Sequence, residues 1–73
     1  MQATIHFRSG TVRKIQNISE VRLGKALSSS ETVKDFKDLI IYPNIVYRFV
    51  GEEIIVVAGK DVEFVEFVPA HPE

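Results

Sequence analysis

No cysteine occurs among the 73 residues. That excludes disulfide staples, thiolate catalysis and cysteine-ligated zinc or iron–sulfur sites. It fits a reducing compartment, and a cytoplasmic location is the expectation. Long apolar runs are missing as well. The longest, Ile54-Ile55-Val56-Val57-Ala58, falls far short of the roughly 20 residues that span a bilayer. The opening residues, Met1 to Arg8, lack the basic region and apolar stretch of a signal peptide. No membrane partner is expected. Glycine is scarce and scattered. Gly10, Gly24, Gly51 and Gly59 each stand alone, so no phosphate-cradling loop can be assembled from them. Neither sign of charge dominates, since nine Lys and Arg against ten Asp and Glu leave a net −1.

What is present describes a folded domain. Apolar residues make up 45% and charged residues 26%, too apolar for a disordered chain. The length suits one core, placed over residues 1–68, with 69–73 a loose tail after Pro69. So small a chain, without disulfide or metal, gains stability by burying surface in an oligomer, and a homodimer is a physical expectation.

The pattern along the chain is mostly β. Ile5 and Phe7 alternate with Thr4, His6 and Arg8, as in a half-buried strand. Ser9-Gly10 signals a turn, and strand resumes from Thr11 to about Gln16. A bend near Asn17 then leads to a strand over Ser19–Leu23. Ser28-Ser29-Ser30-Glu31 has capping-box spacing. Val33, Phe36, Leu39 and Ile40 follow at helical intervals, which predicts a short helix ending by Ile40, ahead of Pro43. Three further strands are expected at Ile45–Val50, Ile54–Ala58 and Val62–Val68. Their connectors, Gly51-Glu52-Glu53 and Gly59-Lys60-Asp61, suit hairpins. Ile54–Ala58, apolar on both faces, reads as a central strand. The expected class is α+β, mostly β: a small antiparallel sheet or partly closed barrel of five to six strands with one short helix.

Few residues suggest chemistry. His6 and His71 lie near opposite ends of the chain without convergent ligands, and both read as surface histidines. Ser28 to Ser30 have no nucleophile elbow or positioned base, and helix capping accounts for them. The acidic residues Asp35, Asp38, Asp61, Glu63 and Glu66 lack calcium-loop spacing. No catalytic residue, metal or cofactor is expected, and the chain reads as a non-enzyme.

Charge position carries more information. Residues 1–25 hold Arg8, Arg13, Lys14, Arg22 and Lys25 against Glu20 alone, whereas residues 51–73 hold six acidic residues against Lys60. The two ends either pair across strands or form opposed basic and acidic faces. The five basic residues, with Phe7, Tyr47 or Phe49 as stacking faces, allow single-stranded nucleic-acid binding as an alternative function. A sequence pI near 6.1 argues against it. Opposed charges joining subunits of a larger assembly are a second alternative.

The strand–turn–strand Ile5 to Val12, with the closing Tyr47 to Ala58 and Val62 to Glu66, resembles small uncharacterised phage or prophage accessory proteins of Gram-positive bacteria. The resemblance covers about half the chain, and it implies a small protein that acts by binding a host or phage protein. The leading functional expectation is therefore a protein-interaction module using a sheet surface or an exposed edge. Its candidate binding residues are Tyr47, Phe49, Phe64 and Phe67, since aromatics anchor interfaces where the core does not consume them.

Overall fold

Two sharp reversals shape the first third of the chain. Gly10, at φ 99°, sits in the left-handed region that glycine enters freely. It joins β1 (Gln2–Phe7) to β2 (Val12–Ile15), with the Phe7 N–H donating to the Thr11 carbonyl at 2.9 Å. Asn17, at φ 54°, makes the expected bend, in a conformation its short polar side chain tolerates. It leads into β3 (Glu20–Ala26). The computed structural model describes residues 1–26 and 29–69. Within them the chain continues through β4 (Ser29–Val33), β5 (Val46–Val50), β6 (Ile54–Ala58) and β7 (Val62–Val68). Ser28 and the expected tail from Ala70, His71 included, lie outside the described residues.

The seven strands form two antiparallel sheets rather than one sheet or a barrel. The first has the order β2-β1-β7 and the second β4-β3-β5-β6. Their inner faces meet in one core, with Ala3, Ile5, Ile15 and Val62 on one side and Val21, Tyr47, Phe49 and Val57 on the other. Ile18 closes it from the connection between sheets. The architecture is thus a small, mostly β domain with more strands than the sequence suggests. No described helix is long and apolar enough to cross a membrane.

The expected helix does not form. Ser29–Val33 pairs with β3, setting Val21 against Val33 and Leu23 against Glu31. Only a 3-10 turn at Phe36–Asp38 follows. Two causes act together. A helix of two to three turns does not repay its nucleation cost unaided, and β-branched Thr32 and Val33 find an open strand to pair with. The apolar spacing is used differently. Phe36 and Leu39 pack against the core, three residues apart as a 3-10 turn allows, and Ile40 is exposed.

The two glycine connectors also part ways. Gly51-Glu52-Glu53 closes a true hairpin between β5 and β6. Gly59–Asp61 is a 3-10 turn that carries the chain out of the second sheet to β7 in the first. As a result β6, expected at the centre, is an edge strand.

The residues between β4 and β5 are fastened from below. The buried Tyr47 hydroxyl donates to the Ile40 carbonyl at 2.8 Å and accepts the Tyr42 N–H at 2.6 Å. Tyr47→Phe leaves both backbone groups short of a partner, and is expected to lower unfolding free energy by about 1–2 kcal/mol. Urea denaturation of the two proteins measures the difference; equal midpoints would remove this role for the hydroxyl.

Candidate protein-binding surfaces

In the first sheet the register assigns faces. Gln2, Thr4 and His6 of β1 point away from the core. Their partners are Val12 and Lys14 on β2, and Phe64, Glu66 and Val68 on β7. β7 reaches this arrangement through a bulge. His6 pairs with Phe64 but Phe7 with Val62, which leaves Glu63 as the extra residue. A bulge re-aims the side chains beyond it. Val62 points into the core and is buried, while Phe64, two residues on, points outward and is 46% exposed.

The outer face has a defined surface. The His6 and Phe64 rings stack with centroids 4.1 Å apart and planes 14° apart. His6 Nε2 lies 2.9 Å from Glu66 Oε1. Gln16 Nε2 donates to Gln2 Oε1 at 2.8 Å, and Gln2 Nε2 donates to Thr4 Oγ1 at 3.2 Å. Thr4 is buried although it faces outward, because the longer side chains around it cover it. These contacts hold Phe64 in place rather than cover it. Val12, across His6, and Val68, beyond Glu66, are exposed on the same face. An ordered aromatic flanked by exposed aliphatics has the make-up of an interface core.

The four aromatic candidates therefore separate. Phe64 is the exposed one. Phe67 points the other way and stacks on Phe36, centroids 4.5 Å apart, beside a shallow groove lined by Met1, Lys34 and Lys37. Tyr47 and Phe49 are fully buried, which removes them as surface anchors. They alternate along β5 with exposed Val46 and Arg48, so the strand's dry face is theirs.

Among the described side chains, the basic residues are spread over both sheets. Arg8 Nε donates to the Lys60 carbonyl at 3.1 Å. Arg13 and Lys14 are neighbours on β2 and point to opposite faces. Arg22 pairs with Glu20 on the other sheet. The Lys25 backbone belongs to β3, and its side chain lies outside what is described. Of the three stacking faces of the nucleic-acid alternative, Tyr47 and Phe49 are in the core, and half-buried Phe7 lines a groove with Arg13. The fold does bring the two charged ends of the chain into one sheet. Among the described residues, however, His6 with Glu66 is the one contact between a basic side chain and a carboxylate that joins them. No cluster of three His, Asp or Glu that could hold a metal ion occurs among the described residues.

A second apolar surface lies on the far side of the molecule, where the sequence pattern does not point. Ile54 and Val56 of β6 are 63% and 57% exposed. Val46 of β5 is exposed beside them, on the strand paired with β6. Arg48, opposite Val56, has no ion-pair partner among the described residues. The available signal was the unbroken apolar run of β6, but its reading depends on whether another strand covers the edge. No protein-family model, curated protein or solved structure matches this chain.

Proposed function

We propose that this chain is a non-enzymatic protein-interaction module that binds its partner through the outer face of the three-stranded sheet, with Phe64 as the anchor. The observation that carries the reading is the bulge at Glu63. It turns a large aromatic out of a core-facing pattern and into a stacked, ordered and solvent-exposed position. Orienting an aromatic before binding lowers the entropy lost in the complex. Val12 and Val68 add apolar positions to the same face, and Lys14 and Glu66 cross it as a polar row beside Phe64. The resemblance to phage accessory proteins points to a host or phage protein as the partner.

The test is capture of a partner from lysate of the source organism, with and without nuclease, by the native protein and by Phe64→Ser. The expected result is one protein retained in both conditions, with affinity for the variant lower by about 30-fold, as for a hot-spot residue. The variant's fold, followed by circular dichroism, is expected to persist because Phe64 lies outside the core. Equal capture by both proteins would overturn the reading. Retention abolished by nuclease would replace it with nucleic-acid binding.

A further inference from the structure

We propose that the free edge of β6 pairs with the same edge of a second copy of this chain, giving a two-fold dimer with one continuous sheet. The hydrogen-bond pattern of the β5–β6 ladder identifies what the edge offers. The Gly59 N–H donates to the Ile45 carbonyl and the Gly51 N–H to the Glu53 carbonyl, so the odd-numbered residues of β6 face β5. Because antiparallel ladders alternate, Ile54, Val56 and Ala58 turn their N–H and C=O groups outward. Protective devices are absent. β6 contains no charge, no proline and no bulge, three of the devices that blunt a solitary edge. Among the described residues, no strand other than β5 pairs with β6. An open groove of about 370 Å³ lies between it and Thr11 and Arg13 of the other sheet.

The strand itself argues for a second copy as its occupant. Antiparallel pairing about a two-fold axis at Val56 sets Val56 against Val56 and Ile54 against Ala58 of the second copy. All three outward-facing residues of each strand are then used, with a large side chain opposite a small one at each end. The outward apolar side chains of the two copies join into one stripe, backed on β5 by Val50, Arg48 and Val46 in turn. The ends match in charge. This register carries Glu52 and Glu53 of one copy to Lys60 of the other, twice by symmetry, whereas a parallel register would set Glu53 against Glu53. Placed on the second sheet, the pairing leaves the outer face of the first sheet free, so the dimer stands independently of the role given to Phe64.

Sedimentation velocity over roughly a hundred-fold range of concentration tests the proposal, using the native protein, Val56→Lys and Val56→Cys. A concentration-dependent dimer is expected, weakened at least about 30-fold by Val56→Lys, which sets two ammonium groups against each other at the axis. The chain has no cysteine of its own, so Val56→Cys supplies a single thiol, and it is expected to form a covalent dimer on mild oxidation. A native protein that stays monomeric at every concentration would overturn the proposal. So would a dimer that is indifferent to Val56→Lys and does not cross-link through Val56→Cys. A monomer that loses a foreign protein on Val56→Lys would overturn it in favour of a foreign strand at this edge. Phe64→Ser is expected to dimerise as the native protein does, which separates failure here from failure of the Phe64 reading.

Discussion

Phe49→Ala is expected to lower the unfolding free energy by about 3–5 kcal/mol, whereas Phe64→Ala is expected to lose less than about 1 kcal/mol. The two phenylalanines differ in surroundings rather than chemistry. Phe49 is fully buried at the centre of the second sheet, opposite Val21 on β3 and Ile55 on β6. Removing its ring forfeits the transfer energy of the ring and leaves a cavity that the two sheets fill only by moving together. Phe64 gives up one stack on His6 and partial burial, and leaves no cavity behind. A domain of this size has about 4–11 kcal/mol of stability in all. The first change therefore threatens the fold and the second does not. Urea denaturation with both variants decides the matter; losses of equal size would mean that the faces of β5 and β7 are misassigned.

Gly59→Ala is expected to be of comparable severity, about 3 kcal/mol or more, for a reason independent of apolar burial. A β-carbon at this position would sit 1.9 Å from the Tyr42 carbonyl oxygen and 3.0 Å from that of Ile45. Both obstacles are backbone, so no side chain can rotate away to relieve the contact. The same close approach carries the hydrogen bond from the Gly59 N–H to the Ile45 carbonyl at 2.8 Å. Relief therefore requires the residues entering β5 to lift off the end of β6, and the crossing to β7 starts at that point. The variant is expected to express poorly and to melt well below the native protein in a thermal scan. A near-native melting temperature would show that the chain can widen this crossing at little cost.

The sequence reveals the individual strands well because strand signals are local. Val46–Val50, Ile54–Ala58 and Val62–Val68 fall within a residue of the expected spans, and the bend at Asn17 is where expected. Arg48 between Tyr47 and Phe49 marks the wet side of β5, yet both aromatics were expected as binding candidates, because one strand's alternation does not say which of its faces a second sheet covers. What was not legible is which strands become neighbours. The two glycine connectors look alike, yet one closes a hairpin and the other changes sheets, and that choice depends on contacts with Tyr42 and Ile45 well away in sequence. The edge position of β6 follows from it, as does the exposure of Ile54 and Val56. The segment after Ser29 was misread because capping-box spacing and a period of three to four fit a short helix, while pairing to β3 is a tertiary event. Phe64 was recognised as a candidate, but the bulge that aims it outward leaves no local mark beyond a strand with no consistently polar face.

The pairing of the first strand with the last has a consequence for the order of events during folding. β1 sits between β2 and β7, and sixty residues separate His6 from Glu66, its hydrogen-bonded partner. Until β7 has been synthesised, the first sheet is a lone two-stranded hairpin, and such hairpins are marginal at best in water. The second sheet meanwhile has only that hairpin to cover the inner side of Tyr47 and Phe49. Closure across so long a loop is slow relative to local hairpin formation. The nascent chain thus passes through a period in which both its core face and the unguarded edge at Ile54 to Ala58 are open, and in that interval chaperone capture competes with self-assembly.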